Sequence, residues 1–172
     1  MKIIETPRLW LRKMQMSDAE EILRILGDPK AMTHYPSVYD LDGAKDWVRR
    51  NQRRYKTHGV GQWLALFKNS NAFAGMCGLI PQEVESVEEL EIGYLFLRQF
   101  WNQGLATEAA KCCRDYAFQD LGRDRVISLI DVNNRPSQRV AEKLGMKIER
   151  RIMKWERNIL VYALQKKENA VD

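Results

Sequence analysis

Two short segments carry residue types whose spacing could do chemistry. In WNQGLATE, residues 101–108, one glycine and two small residues stand where the apolar run LEIGYLFL hands over to a helical pattern. A helix N-terminus has free amide N–H groups and a positive dipole end, so it favours an anion. With Gly104 and Ala106 leaving room, the amides of Asn102, Gln103, Gly104, Leu105, Ala106 and Thr107 could surround a phosphate or pyrophosphate. The chain has no G-x-x-x-x-G-K-S/T, and no G-x-G-x-x-G followed by an acidic ribose ligand, so neither an NTPase nor a dinucleotide dehydrogenase is supported. Read alone, the segment fits equally a tight strand-to-helix turn packed on a sheet. The second segment, NNRPSQRVAEKLGM, residues 133–146, follows the apolar VISLIDV. Asn133 or Asn134 can cap a helix there, with Pro136 in its first turn. Ser137, Val140, Ala141 and Leu144 then share one face, which points Ser137 toward the sheet, where its hydroxyl should find a partner.

Holding these segments together requires a sheet. RLWLRKM reads as a first strand, and SDAEEILRIL as a helix opened by Ser17 with Glu20 three residues later, a capping box. After the loop DPKAMTHYPSVYD comes AKDWVRRNQRRYKTHG. There Ala44, Trp47, Val48 and Tyr55 form one helical stripe, while Lys45, Arg49, Arg50, Arg53, Arg54 and Lys56 cover the remaining surface, with His58 ending the helix. QWLALFK, AFAGMCGLI and VEELEIGYLFL read as three strands joined by short links, the second being PQEVES, which favours an antiparallel meander. The order then becomes strand (89–97), helix (104–121), strand (RVISLIDV) and helix (136–144), a βαβα pattern. KIERRIMKWE and ILVYALQ form a terminal strand pair. The fold class expected is α/β, a mixed sheet of about seven strands with about four helices on both faces, in one domain over residues 1–172.

Composition limits the function classes. The chain has 172 residues, 45% of them hydrophobic and 30% charged, as in an ordinary globular enzyme-sized domain. No apolar stretch approaches the roughly 20 residues of a membrane span, and the start lacks a signal-peptide pattern, so a cytoplasmic protein is expected. Cys77, Cys112 and Cys113 lack metal or redox spacing and read as buried thiols. A net charge of +5 is compatible with nucleic acid, a ribosome or an acidic substrate as partner.

Taken together, the two motifs resemble the GNAT acetyltransferase superfamily. Its pyrophosphate loop, Arg/Gln-x-x-Gly-x-Gly/Ala, corresponds to Trp101, Gly104 and Ala106. Its later signature corresponds to Asn134, Ser137, Ala141, Glu142, Lys143, Gly145 and Met146, beginning about 28 residues on with a strand between. ETPRLWLR, EIGYLF and GLATEAA further resemble the ribosomal-protein acetyltransferase branch, the RimJ/RimL type. Three positions depart from the superfamily pattern. Trp101 replaces Arg or Gln, as is typical of that branch; Asn102 replaces a glycine; and Ala141 stands where many members carry a tyrosine that protonates the departing thiolate.

The resemblance implies acetyl-CoA as cofactor. Its pyrophosphate would lie on residues 102–107, with the pantetheine arm along Leu95, Phe96 and Leu97 like an added strand. Asn134 would orient that arm, and an amide near Phe96 would polarise the thioester carbonyl. With Ala141 in place of the tyrosine, Ser137 is the matched hydroxyl for the sulfur. Direct attack in a ternary complex then needs a base, for which Glu91 is the candidate and Glu89, on the same face, the alternative. His34 and Tyr35, in the loop between the first two helices, and Trp155, in the terminal strand pair beside Tyr162, would line the acceptor site. The implied acceptor is a protein or peptide N-terminal α-amine, with an acidic or ribosome-associated partner suiting the basic helix and the enzyme acting as monomer or homodimer. The alternatives are a small amine such as an amino acid, polyamine or antibiotic, and a non-catalytic module binding CoA or nucleic acid.

Overall fold

The computed structural model describes residues 2–167. Strands β1 (Lys2–Glu5) and β2 (Leu9–Arg12) precede helices α1 (Ala19–Leu26) and α2 (Leu41–Thr57); β3 (Gln62–Phe67), β4 (Phe73–Val84) and β5 (Val87–Phe96) follow. Then come α3 (Leu105–Gln119), β6 (Arg125–Asp131), α4 (Arg135–Lys143), β7 (Lys147–Lys154) and β8 (Arg157–Gln165). All eight strands form one mixed sheet in the order β1-β2-β3-β4-β5-β6-β8-β7. The first five make an antiparallel meander, and β6 pairs parallel to β5.

Side-chain alternation along the strands sends successive residues to opposite faces and builds two cores. From β3, Leu64 and Leu66 pack with Ile22 and Ile25 of α1 and Ala44 and Val48 of α2. Trp63 and Ala65 pack instead with Leu105, Ala109 and Cys113 of α3, Ala141 of α4 and Leu144 at the C-terminal end of that helix. Cys77 and Cys113 are buried free thiols and Cys112 is half-buried. No helix among the described residues is long and apolar enough to cross a membrane.

The sheet has an eighth strand, β1, which the sequence pattern of the first residues did not announce: KIIE is four residues long and only Ile4 is buried in it. The start of the first helix also differs. Asp18, not Ser17, organises it: its carboxylate accepts the Gln15 amide at 2.7 Å and pairs with both Arg12 amino groups at 2.7 Å, a charge-assisted clamp that outcompetes a neutral hydroxyl. PQEVES is not a loop but mostly strand. The β4–β5 ladder runs to Val84 and turns at Glu85 and Ser86, both with positive φ, a two-residue hairpin without the usual glycine or asparagine.

Candidate active site

The end of β5 is turned sharply into α3 by two left-handed residues, Asn102 (φ 61°) and Gly104 (φ 76°). Glycine takes this conformation without steric cost and asparagine tolerates it better than most, so Asn102 serves in the place of a glycine. The Trp101 indole spans the turn, its Nε1 donating to Phe96 O at 2.9 Å. From the N-terminal segment, Arg8 ties the loop to the helix: it donates to Gln103 O at 3.0 Å and to the Glu108 carboxylate at 2.6 Å. No side chain caps Gly104, which leaves the first-turn amides of this 15-residue helix to an incoming ligand. They open on a groove of about 540 Å³ walled also by Lys30, Arg139 and Lys143, with no carboxylate among its lining residues. Free amides plus cations suit a pyrophosphate.

Beside this groove the sheet splits. β5 and β6 are paired at Glu91 and Ile127, and the Ser128 hydroxyl donates to Ile92 O at 2.8 Å. Leu97 N donates back to β4, at Ala74 O, so alternation turns the backbone groups of Tyr94 and Phe96 toward the split. The Asn134 side chain caps α4 by accepting Ser137 N at 3.2 Å, which fixes the start of that helix at the mouth of the split. The Tyr94 hydroxyl donates to Ser137 O at 2.8 Å. Ser137 itself is half-buried, and its hydroxyl has no protein partner among the described residues. The position facing the sheet is taken by Gln138, which is 2% exposed and donates to Val132 O at 2.9 Å. Ser137 therefore faces open space rather than the core, one residue round the helix from the expected face.

A second cavity, of about 230 Å³, lies between the split, α2 and the loop before it. Glu91 projects into it, 8% exposed, its Oε2 accepting Gln82 Nε2 at 2.7 Å. Burial pushes its carboxyl up from 4.5 to about 7; the Gln82 donor and the charges of Arg54 and Lys154 oppose that rise only in part. Burial also raises the phenols of Tyr35 and Tyr94, so both remain donors at neutral pH. Asp131 is held by Arg157 at 3.0 Å, and the same guanidinium donates to Tyr35 O at 3.2 Å, with His34 Nδ1 3.9 Å from the carboxylate. One arginine on β8 thus fixes the loop that carries His34 and Tyr35.

His34, Tyr35, Tyr94, Leu95, Asn134 and Ser137 line both cavities. Of the residues singled out from sequence, Phe96, Asn102, Gly104, Leu105, Ala106 and Thr107 line the groove, and Glu91 and Trp155 line the smaller cavity. Three lie elsewhere. Leu97 is buried in the α1–α2 core. Gln103 is exposed, its carbonyl turned to Arg8 and its side chain bonded to Gln99 O. Glu89 shares the face of Glu91 but lies about 7 Å along the strand, where its carboxylate is bound by Arg125 at 3.0–3.1 Å. Its carboxylate is thus occupied by Arg125, and Glu89 lines neither cavity. Tyr162 is core, 1% exposed. Sequence reasoning missed Tyr94, Gln82, Asp131, Arg50 and Arg54. Only the arginines had a signal, since positions 50 and 54 are one helical turn apart and adjoin the stripe of Trp47.

The split sheet thus sets a groove of helix-start amides and cations against a cavity holding a buried carboxylate. Residues 8–147 match the acetyltransferase (GNAT) domain model, and the chain belongs to this family of acetyltransferases, which use acetyl-CoA. It is 41% identical over 158 residues to YkkB of Bacillus subtilis (strain 168), covering 91% of this chain and 92% of that protein. A GNAT-family acetyltransferase structure from Bacillus anthracis superposes with a TM-score of 0.81 at 26% identity, covering 96% and 98% of the two chains. A RimL ribosomal L7/L12 α-N-protein acetyltransferase, in complex with coenzyme A, shares the fold with a TM-score of 0.79 at 18% identity over 96% and 98%.

Proposed function

We propose that the chain, as one cytoplasmic domain over residues 1–172, transfers acetyl from acetyl-CoA to a primary amine in a ternary complex, the acceptor being a protein or peptide N-terminal α-amine. The observation that carries this reading is the meeting of two unlike cavities, one cationic and rich in free amides, one holding a carboxylate, at Ser137 and Tyr94.

The first-turn amides of α3, with Lys30, Arg139 and Lys143, would hold the pyrophosphate. The Asn134 side-chain NH₂, which has no partner among the described residues, would serve the pantetheine arm beside the split. When bound, acetyl-CoA supplies an activated acyl group. The Phe96 backbone N–H, turned to the split, would donate to the carbonyl oxygen as negative charge develops there. Glu91, directly or through a water, takes the proton from the amine. A base at about 7 is within about a unit of an α-amine at 7.7–8.0 and far from a lysine amine at about 10.4, which favours an N-terminus over a side chain. The Ser137 hydroxyl, without a protein partner among the described residues, supplies a proton to the leaving sulfur, while the Tyr94 bond to Ser137 O holds the start of α4 in place. A protein acceptor is also supported by the likeness to an enzyme named for ribosomal L7/L12.

A second reading, a small amine such as an amino acid, draws on the cavity size of about 230 Å³, room for one or two residues. Free-thiol release from acetyl-CoA, measured with peptide α-amines, lysine side chains and small amines, tests both. Release driven by α-amines supports the proposal. Release with small amines alone replaces it by the second reading, and none with any amine leaves a non-catalytic CoA- or nucleic-acid-binding module.

A further inference from the structure

The smaller cavity contains two cations that acetyl transfer does not use. Arg50 and Arg54 lie one turn apart on α2 and both line it. Of the other cations of that helix, Lys45 pairs with Asp42 at 3.4 Å and Arg49 with Asp46 at 2.6 Å, while Arg53 and Lys56 do not line the cavity. Arg50 and Arg54 form no ion pair among the described residues, although two carboxylates share their cavity. Those are already engaged, Asp131 by Arg157 at 3.0 Å and Glu91 by Gln82 at 2.7 Å. Arg54 is near enough to Glu91 to lower that carboxyl's proton affinity, yet not in contact with it.

Such a pair is held at a cost. Like charges one turn apart repel, and Arg54 holds its proton less tightly than usual, first because burial strips its water and second because of Arg50. An incoming anion would relieve both effects. Arg50 is also set in advance. Its guanidinium lies 5.4 Å from the Trp47 ring centroid, and Trp47 is packed edge-on against Tyr39 at 5.7 Å and donates to Gln62 Oε1 at 3.0 Å. A fixed, planar fork of donors matches a carboxylate in two-point contact.

We propose that Arg50 and Arg54 form an anion-recognising wall of the acceptor site, and that the acceptor is an amine carrying a carboxylate within one or two residues of that amine. The amine end faces Glu91 and the carboxylate faces α2. This deepens the acetyl-transfer reading and rests on it for the identity of the cavity. The shared chemistry has two sources, an acidic residue near a peptide N-terminus or the α-carboxylate of a free amino acid.

The test compares Ser-Glu-Ala-amide, Ser-Gln-Ala-amide, Ser-Lys-Ala-amide and free glutamate, with parent, R50Q, R54Q and R50E/R54E. Turnover is read as thiol release and binding as quenching of tryptophan fluorescence without acetyl-CoA. The expected result is a preference of about tenfold to hundredfold for an acidic acceptor over Ser-Lys-Ala-amide, from the strength of hydrogen bonds to charged groups. That preference is weakened in R50Q and R54Q and reversed in R50E/R54E, with acetyl-CoA affinity retained as the sign of an intact fold. Preference for Ser-Glu-Ala-amide assigns the carboxylate to a peptide, and preference for glutamate assigns it to a free amino acid. Arginine-dependent binding without thiol release supports the wall while removing the transfer reading. Equal treatment of acidic and basic acceptors by the parent, or a preference that survives R50E/R54E, overturns the wall and leaves the transfer reading standing.

Discussion

The two cavities that meet at Ser137 are built from different materials. The groove at α3 is made mainly of backbone: a left-handed turn at Asn102 and Gly104, free first-turn amides, and three cations with no carboxylate. The cavity at α2 is made of side chains from separate parts of the chain. Glu91 comes from β5, Asp131 from β6, Arg50 and Arg54 from α2, and Trp155 from the β7–β8 turn. The first suits a ligand whose charge is fixed, since a phosphate is negative at any physiological pH. The second contains a carboxyl poised near neutrality beside fixed cations, and so suits a partner that must lose a proton during the reaction. On the proposed reading the contrast is a division of labour between cofactor holding and amine activation, and it can be broken from either side.

The largest effect is expected from Glu91→Gln. It removes the proposed base while keeping the bond to Gln82, so thiol release with a peptide α-amine should fall by about 10²- to 10⁴-fold with acetyl-CoA affinity unchanged by calorimetry. Gly104→Glu strikes the other cavity, placing a carboxylate at the cradle and forcing a side chain into φ 76°. Affinity for acetyl-CoA should drop by about hundredfold or more, whereas unchanged affinity would move the pyrophosphate elsewhere. Ser137→Ala acts at the meeting point. Turnover should decline by about hundredfold with little change in cofactor affinity, and kinetics matching the parent across pH would hand sulfur protonation to water. The smallest effect is that of Gln82→Ala. Its amide stabilises the Glu91 carboxylate, so its removal should raise the carboxyl further above about 7 and move the rising limb of the pH–rate profile to higher pH, by less than about one unit.

The same contrast explains what the sequence revealed. A backbone site is local: the glycine, the small residues and the helix that follows are contiguous, so WNQGLATE announced its groove. The βαβα half was equally legible because strand and helix periods change cleanly across residues 89–144. Arg50 and Arg54 were read as part of a basic helix surface, either solvated or suited to an acidic partner, since nothing in α2 alone tells that one side of it faces a split in the sheet 40 residues away. Glu89 and Glu91 could not be separated by alternation, and only Arg125, on a strand paired beside β5, distinguishes them. Ser137 was placed on the right helix but one position off in facing, because the long Gln138 amide reaches the carbonyls of Asp131 and Val132 at the end of β6 and takes the inner place. The first forty residues were obscured by a four-residue strand and by a helix start set by the Arg12–Asp18 pair.

The most direct measurement is the pH dependence of kcat/KM for thiol release from acetyl-CoA with a peptide α-amine, in the parent and in Glu91→Gln. The expected result is a limb rising through about 7 in the parent, separate from the acceptor's own ionisation at 7.7–8.0, and lost in the variant along with most of the rate. Retention of that limb and rate in Glu91→Gln would contradict the assignment of Glu91 as base, and absence of thiol release from the parent at every pH would contradict acetyl transfer to an α-amine altogether.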